Sequence, residues 1–538
     1  MGCVCGKKTK IWQDKCLEIQ KPLNTNENIE RKTSREIIFT IKNQSWVEEK
    51  PQNIDNSHKE QSKILDSPQQ LIKFDDSLFA HFNSKNLYTN YELMGKLGEG
   101  FYGYVRLANH RETRKQRAVK SIEKSKMSST QTEKNKFFNE FEILKQTDHP
   151  NIVKIFEYYE DRTYFHLVME YISGGKLLDY LAKTKTFSES TAAHFIQQIL
   201  SALVYCHEKG IIHGDLEPDN ILLDSFTDKS IVKIVGFGNS VLKGNGTVFN
   251  SQSHSVQFTA PEVLKNENFC EKCDIWSCGT ILYLLLSGKT PFPGRTQDII
   301  KQRVLAGDFS LKGLEWNNIS LPAKNLLSQM LVYNSNSRIT AQGALNSPWI
   351  QENLKSLNLF SNLNTENLIN LTSLQSNQQF KQAVLMFIAN FALSKDRLQE
   401  LTLTFRKLDK NGDGKLSREE LKEVYNKTTK HKRTMSKQID EIMEIVDKDK
   451  TGFISYSDFV TACLKQEEID NEVNLEMAFK AFDEDKSGKI SIEELRRVFG
   501  IGSGKIKDLK NLLMEVDNNG DGEIDFVEFK KMMIKGLS

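Results

Sequence analysis

Four stretches of the chain repeat one spacing of oxygen-bearing side chains, and that spacing suits a hard divalent cation. They run from Asp409 through Asn411 and Asp413 to Glu420, and from Asp447 through Asp449 and Thr451 to Asp458. Two more run from Asp483 through Asp485 and Ser487 to Glu494, and from Asp517 through Asn519 and Asp521 to Glu528. In a twelve-residue loop the oxygens at positions 1, 3 and 5 wrap a Ca2+ ion, position 7 offers its backbone carbonyl, and a glutamate at position 12 adds two oxygens. Position 7 is Lys415, Phe453, Lys489 and Glu523 in turn. One acidic loop is often only a solvated turn, but these four lie in register, with starts 38, 36 and 34 residues apart (409, 447, 483, 517). The chain therefore carries up to four Ca2+ sites. The first and fourth keep the pattern most fully. The second ends in Asp458, whose shorter side chain is poorly suited to two-oxygen chelation, so it is expected to be weaker or more tolerant of Mg2+. Leu416, Ile454, Ile490 and Ile524 at position 8 can pair the loops through short strands.

A second set of residues could hold a nucleotide. Gly98, Gly100 and Gly103, followed by Val105, fit G-x-G-x-x-G-x-V, in which glycines let backbone approach a triphosphate. Alone the pattern also fits a dinucleotide fingerprint. Its flanks, Tyr91-Glu-Leu-Met and Tyr104-Val-Arg-Leu-Ala, read as two strands with no helix opening at the third glycine, a context that disfavours that alternative. Ala118-Val119-Lys120, Glu140 in N-E-F-E-I-L, L-V-M-E-Y around Met169 and Glu170, and H-G-D-L-E-P-D-N at 213–220 follow in order. Then come K-I-V-G-F-G at 233–238, Ala260-Pro261-Glu262, Asp274-Ile-Trp276-Ser277-Cys-Gly279 and Arg338. From Gly98 to Arg338, about 240 residues, this succession resembles the Ser/Thr protein kinases. The resemblance implies ATP as cofactor, Asp215 as catalytic base and Lys120 on the phosphates, paired with Glu140. It further implies Asn220 as a Mg2+ ligand, Met169 and Glu170 at the hinge, and an Arg338–Glu262 ion pair.

Three positions depart from that family's pattern. Gly236 stands where an aspartate holds magnesium, Glu217 where a lysine approaches the γ-phosphate, and Gly214 where an arginine grips a phosphorylated loop. His254-Ser255 also replaces a Gly-Thr ahead of A-P-E. Magnesium prefers carboxylate and phosphate oxygens, so Asn220 alone is a poor anchor. Two readings follow: a pseudokinase or very slow kinase, or an active Ser/Thr kinase in which Asp219 or Glu217 serves as replacement ligand.

These sites need elements to position them. A chain of 538 residues is too long for one core. Its fold class reads as α+β: a bilobal protein-kinase fold over 91–350, then an all-α EF-hand, calmodulin-like domain over 396–538. Between them, in a junction at 351–395, Phe380, Val384, Phe387, Ile388 and Phe391 share one helical face. That face suits a helix gripped in the grooves of the EF-hand lobes, or alternatively a core helix of a neighbouring domain.

Residues 1–90 read as a variable, mostly disordered segment. At its start Gly2 is placed for myristoylation, Cys3 and Cys5 for palmitoylation, and Lys7, Lys8 and Lys10 for anionic headgroups. Gly6 departs from the Ser or Thr preferred there. These residues suggest a protein peripheral to the cytoplasmic face of a membrane. With a formal net charge of +2 the chain shows no basic excess pointing to nucleic acid, and it has no apolar run long enough to span a bilayer. Eight scattered cysteines suit a reducing compartment, and the C-x-x-C of Cys270 and Cys273 reads as a structural pair. Kinase motifs, junction and four loops together resemble the calcium-dependent protein kinase family. The resemblance implies a switch in which Ca2+ opens the EF-hand lobes to capture the junction helix.

Overall fold

The computed structural model describes residues 81–83, 86–100, 103–127, 131–243, 255–267, 270–356, 379–428, 432–447, 449–498 and 506–534. Gly2, Cys3 and Cys5, most of the 1–90 segment, His254 and junction residues 357–378 lie outside them.

A six-stranded sheet forms the smaller lobe, and the side chains of its central strands are buried at most positions. Its strands are β1 (His81–Asn83), β2 (Tyr91–Glu99), β3 (Gly103–His110), β4 (Gln116–Glu123), β5 (Ile155–Glu160) and β6 (Tyr164–Glu170), in spatial order β1-β5-β6-β4-β3-β2. β2 and β3 form the hairpin expected around the glycine loop. Parallel pairing of β1 with Glu157, Tyr158 and Tyr159 carries the sheet upstream into residues whose polar composition read as linker. The helix Gln131–Lys145 covers one face of this sheet. Its Phe137 stacks on Phe165 with ring centroids 5.4 Å apart, and Phe141 lies against Tyr158 at 5.7 Å.

The larger lobe is helical. The helices Glu189–Glu208 and Lys272–Ser287 are apolar on nearly every side, the pattern of a helix enclosed by its neighbours. Ser188 caps the first by accepting from Thr191 N, and Gly288 (φ 69°) ends the second in a left-handed turn. Arg338, 1% exposed, reaches Glu262 through two bonds of 2.7 and 3.1 Å and also donates to the carbonyls of Val332, Lys272 and Tyr333. A buried charge is tolerated when its hydrogen bonds are made, and here they are. Cys273 is buried at the start of the helix Lys272–Ser287, and Cys270 beside it is a free thiol.

The C-terminal part comprises helix–loop–helix units joined in pairs by two-stranded ribbons. Leu416 faces Ile454 in one and Ile490 faces Ile524 in the other, as the position-8 residues led us to expect. The junction helix runs over Gln379–Phe387 and continues as a π-turn at Ile388–Ala392. Sequence periodicity gave it one apolar face. Instead Phe380, Lys381, Ala383, Val384, Leu385, Met386 and Phe387 are all buried, because residues of both EF-hand pairs close around it in one core. The π-turn then meets the kinase half. Phe391 lies 5.1 Å from Phe156 and 5.7 Å from the Arg117 guanidinium, and Lys154 Nζ donates to Asn390 Oδ1 at 2.5 Å.

Phe380 has ring centroids 5.4 Å from Phe482 and 6.0 Å from Phe529. Truncating a buried phenylalanine typically costs about 3–5 kcal/mol. Phe380→Ala is therefore expected to destabilise the EF-hand part by about 3 kcal/mol, read as a lowered urea midpoint for its exchange-protected amides, with the larger lobe unaffected.

Candidate active site and cation-binding loops

The glycine loop is a tight hairpin end. Gly98 faces Val105, and Gly100 N donates to Gly103 O at 2.9 Å. A Cβ at Gly98 or Gly100 would stand in open space, whereas one at Gly103 would come 1.9 Å from Ser121 O. The third glycine is therefore fixed by strand packing, and the first two leave room for a ligand. Register places Lys120 of β4 between Val105 and Leu167, with its Nζ 2.6 Å from Oε2 of Glu140, which is 3% exposed. Met169 pairs with Ala118 at the inner edge of the hinge. The carboxylate of Glu170 is engaged by Lys233 Nζ at 2.8 Å, and its backbone N donates to Lys154 O at 2.8 Å.

The catalytic loop hangs from one carboxylate. Asp274, 1% exposed, accepts from His213 N at 2.9 Å, Gly214 N at 2.8 Å and the His207 ring at 2.9 Å. Burial works to raise its carboxyl pKa, but His207, His213 and the Gly214 amide together hold it below the usual range. Asn220 Nδ2 donates to Asp215 O at 2.8 Å, and Asn239 Nδ2 donates to Asp215 Oδ2 at 3.0 Å. Asn239 was not anticipated from the sequence; its only signal is its place just after G-F-G. Phe237 is fully buried and meets the His213 ring edge-on at 4.7 Å. Val241 pairs with Ile212, and Asn139 of the helix Gln131–Lys145 donates to Ser240 O at 2.7 Å. The segment is thus anchored although Gly214 offers no arginine.

At Gly236 the backbone is left-handed (φ 87°, ψ 39°), and a Cβ there would sit 2.7 Å from Asn220 Oδ1. Nothing at this position carries an oxygen ligand. Glu217 is half-buried beside two like charges. Burial first, then Asp215 and Asp219, push its carboxyl up to about 7 against the opposing pull of Lys176. Lys176 itself is paired with Asp219 at 2.6 Å.

In the cation loops, the first-position aspartate accepts from the sixth-position glycine in all four. The bonds are Gly414 N to Asp409 at 2.9 Å, Gly452 N to Asp447 at 2.7 Å, Gly488 N to Asp483 at 2.9 Å and Gly522 N to Asp517 at 2.9 Å. Glu420, Glu494 and Glu528 reach back to accept from the second or third residue of their loops. Asp458 accepts from Ser455 Oγ at 2.7 Å, as Glu420 and Glu494 do from Ser417 Oγ and Ser491 Oγ. Asn411 and Asn519 accept from Asp413 N and Asp521 N, and Thr451 and Ser487 donate to the carbonyls of Phe453 and Lys489. Carboxylate oxygens of Asp483, Asp485 and Glu494 lie within 4.8 Å of one another. Asp409 Oδ1 is buried without a hydrogen-bond partner. A deserted buried oxygen and converging carboxylates fit a hard cation.

A protein kinase domain model matches residues 91–350, and an EF-hand domain pair model matches 398–464 and 472–534. Calcium-dependent protein kinase 4 of Plasmodium falciparum (isolate 3D7) is 37% identical over 489 residues, covering 88% of this chain and 92% of the relative. Its Plasmodium berghei (strain Anka) namesake is 39% identical, with 82% and 85% covered. Calcium-dependent protein kinase 17 of Arabidopsis thaliana is 35% identical, with 83% and 84% covered. EF-hands imply Ca2+, and a kinase domain implies ATP and Mg2+. The loops fit Ca2+, and the hairpin with its Lys120–Glu140 pair fits the nucleotide. The donor set does not fit magnesium, because Gly236 supplies no carboxylate beside Asn220. Among the described residues no helix is long and apolar enough to cross a membrane.

Two outcomes follow. The folded chain holds a proton on Glu217 that the unfolded chain releases, so this group's contribution to stability is present at low pH and lost as pH rises from about 4.5 to about 7. Glu217→Gln should leave thermal stability unchanged at pH 5 and raise it at pH 8, by no more than about 3 kcal/mol. In the second loop, Asp458→Glu should strengthen Ca2+ binding about tenfold by adding a chelating oxygen, read by calorimetric titration of the full chain.

Proposed function

The chain belongs to the calcium-dependent protein kinase family, and on that premise we propose that it is a calcium-switched member whose phosphotransfer is impaired. The observation that carries this reading is the left-handed Gly236 packed against Asn220, where the family's chemistry calls for a carboxylate.

Bound ATP supplies the phosphoryl group, and the chain's own residues do the positioning. Glu140 holds Lys120, whose ammonium orients phosphate oxygens. Asn239 and the His213–Asp274 scaffold aim Asp215, which accepts the proton of a Ser or Thr hydroxyl. Two features oppose transfer. Charge developing on the phosphates finds no carboxylate-held cation, and Glu217, once ionised, repels it. Removing one preorganised electrostatic donor typically costs about 10²–10³ in rate, so a slow kinase or a nucleotide-binding scaffold is the expected behaviour.

Regulation follows from the junction. In the proposed switch, residues 351–395 obstruct the kinase domain when Ca2+ is absent, and the EF-hand lobes hold the 379–387 helix when it is bound. Enclosure of Phe380 and Val384 in the EF-hand core supports the second state. Acylation of Gly2, with Cys3 or Cys5, would tether the chain to a membrane surface, since one acyl chain alone binds only marginally.

Transfer of labelled γ-phosphate from ATP to the protein and to a basic Ser/Thr peptide, with and without Ca2+, tests the proposal. The native chain should transfer at least about 100-fold more slowly than its Gly236→Asp variant. Aspartate is among the residues that adopt a left-handed backbone, and restoration also needs the Asn220 side chain, whose Oδ1 would stand 2.7 Å from the new Cβ, to move aside. Rapid Ca2+-stimulated transfer by the native chain, abolished by Asp215→Asn, would overturn the reading in favour of a replacement metal ligand.

A further inference from the structure

The four calcium loops share their ligand pattern but not their surroundings. A Cβ built on Gly452, Gly488, Gly520 or Gly522 would meet nothing within 4 Å. In the first loop a Cβ on Gly412 would lie 2.6 Å from Leu345 Cδ2, and one on Gly414 would lie 2.2 Å from His149 Cδ2. Both neighbours belong to the kinase domain. Gln342 Nε2 donates to Asn411 O at 3.1 Å, and Lys415 Nζ lies 3.2 Å from Glu208 Oε2. Just ahead of the loop, Arg406 donates to Gln197 Oε1 at 2.7 Å. From the neighbouring unit, Ser457 donates through N and Oγ to Asp148 at 2.9 and 2.8 Å.

All three carboxylate ligands of loop 1 are buried: Asp409 is 6% exposed, Asp413 9% and Glu420 8%. Asp483, Glu494 and Glu528 are as deeply buried without such a wall, so what sets loop 1 apart is position 5, where Asp413 is covered and Asp521 of the fourth loop is exposed. Three carboxylates enclosed together need compensating charge. Arg406 contributes one cation beside Asp409, Lys415 is turned to Glu208, and Asp409 Oδ1 remains without any partner.

We infer that the first calcium loop is an interdomain site: the surface made by His149, Glu208, Gln342 and Leu345 is the receptor for the Ca2+-loaded loop. The inference rests on the calcium reading of the loops. Ca2+ at loop 1 and docking of the EF-hand part on the kinase domain are then one linked equilibrium, in which each strengthens the other by the same factor. An undocked loop loses its wall and opens to solvent; the third loop's own contact with the kinase domain is the surface pair of Lys486 and Glu112 at 3.2 Å. A docked loop without its ion leaves the carboxylates desolvated and mutually repelling. Loop 1 thus reports domain arrangement as well as Ca2+ concentration.

Hydrogen–deuterium exchange of the full chain across a Ca2+ titration, read peptide by peptide, tests this. The Gln197→Lys, Glu208→Lys double variant sets like charges against Arg406 and Lys415 from the kinase side, without touching a ligand. Its loop-1 peptide should need about tenfold more Ca2+ for half-protection, while the loop-3 and loop-4 midpoints stay in place. Reciprocally, at saturating Ca2+, Glu420→Gln should lower protection of kinase segments 205–209 and 341–346, and Glu528→Gln should not. A loop-1 midpoint moved less than about threefold, or kinase segments indifferent to Glu420→Gln, would overturn the inference. Failure of the calcium reading itself would look different, since no loop of the native chain would then respond.

Discussion

The Asp274 carboxylate is the constraint on which the catalytic region depends. Taking an ionised group fully out of water costs several kcal/mol unless hydrogen bonds replace the lost solvent. Here the replacements are His213 N, Gly214 N and the His207 ring. Meeting that demand fixes the backbone of the catalytic loop against the helix Lys272–Ser287. His213 then packs on Phe237, and Phe237 is buried beneath the helix that carries Glu140. None of these bonds requires a particular side chain at 214, 217 or 236. The loop therefore keeps its shape whatever the chemistry of its reacting residues, and positioning and reactivity are separable in this fold.

That separation explains how scaffold and site diverge in one chain. Arg338–Glu262, Lys120–Glu140 and the Asp274 hub are all formed, at 2.6–2.8 Å for their shortest bonds. The altered side chains, at 214, 217 and 236, lie outside these three interactions. The left-handed backbone at 236 suits glycine at no steric cost, whereas a Cβ there would crowd Asn220 Oδ1 at 2.7 Å. The consequence of the glycine is electrostatic. Lys176, the cation nearest Glu217, is already paired with Asp219, and the protonated fraction of Glu217 falls through the neutral range. The site becomes less hospitable to a triphosphate as pH rises.

Much of this was legible in the sequence, because the informative residues obey local rules. The strands around the glycine loop, the Lys120–Glu140 and Arg338–Glu262 pairs, and the pairing of Leu416 with Ile454 and of Ile490 with Ile524 are set by spacing and by ordered motifs. What escaped depends on which surfaces meet. Asn239 aims Asp215 from a position no spacing rule marks. His81–Asn83 becomes a strand only because β5 has an open edge to pair with. The junction helix read as amphipathic because Lys381 and Gln382 interrupt its apolar run, yet Lys381 is 1% exposed between lobes that close from both sides. Periodicity reports one face; enclosure by two partners erases the distinction.

The same limit applies to the calcium loops, where pattern alone makes loop 1 and loop 4 equivalents. Their ligand sets differ by little: aspartate, asparagine, aspartate and glutamate at positions 1, 3, 5 and 12 in both. Their environments differ by a wall of kinase residues on one and solvent on the other. Ion affinity depends on how far the ligands are preorganised and on what else balances their charge, so sites of identical sequence acquire different roles from what they touch. The polar contacts that dock loop 1 are individually modest. Gln342 to Asn411 and Lys415 to Glu208 are bonds at or near the surface, worth about 1 kcal/mol or less each. They cannot hold a domain in place alone. A cation that relieves the repulsion among three enclosed carboxylates contributes more than either bond, and at loop 1 it does so beside the kinase wall. In this chain the interface, more than the ligand set, determines which Ca2+ ion carries structural information between the two halves.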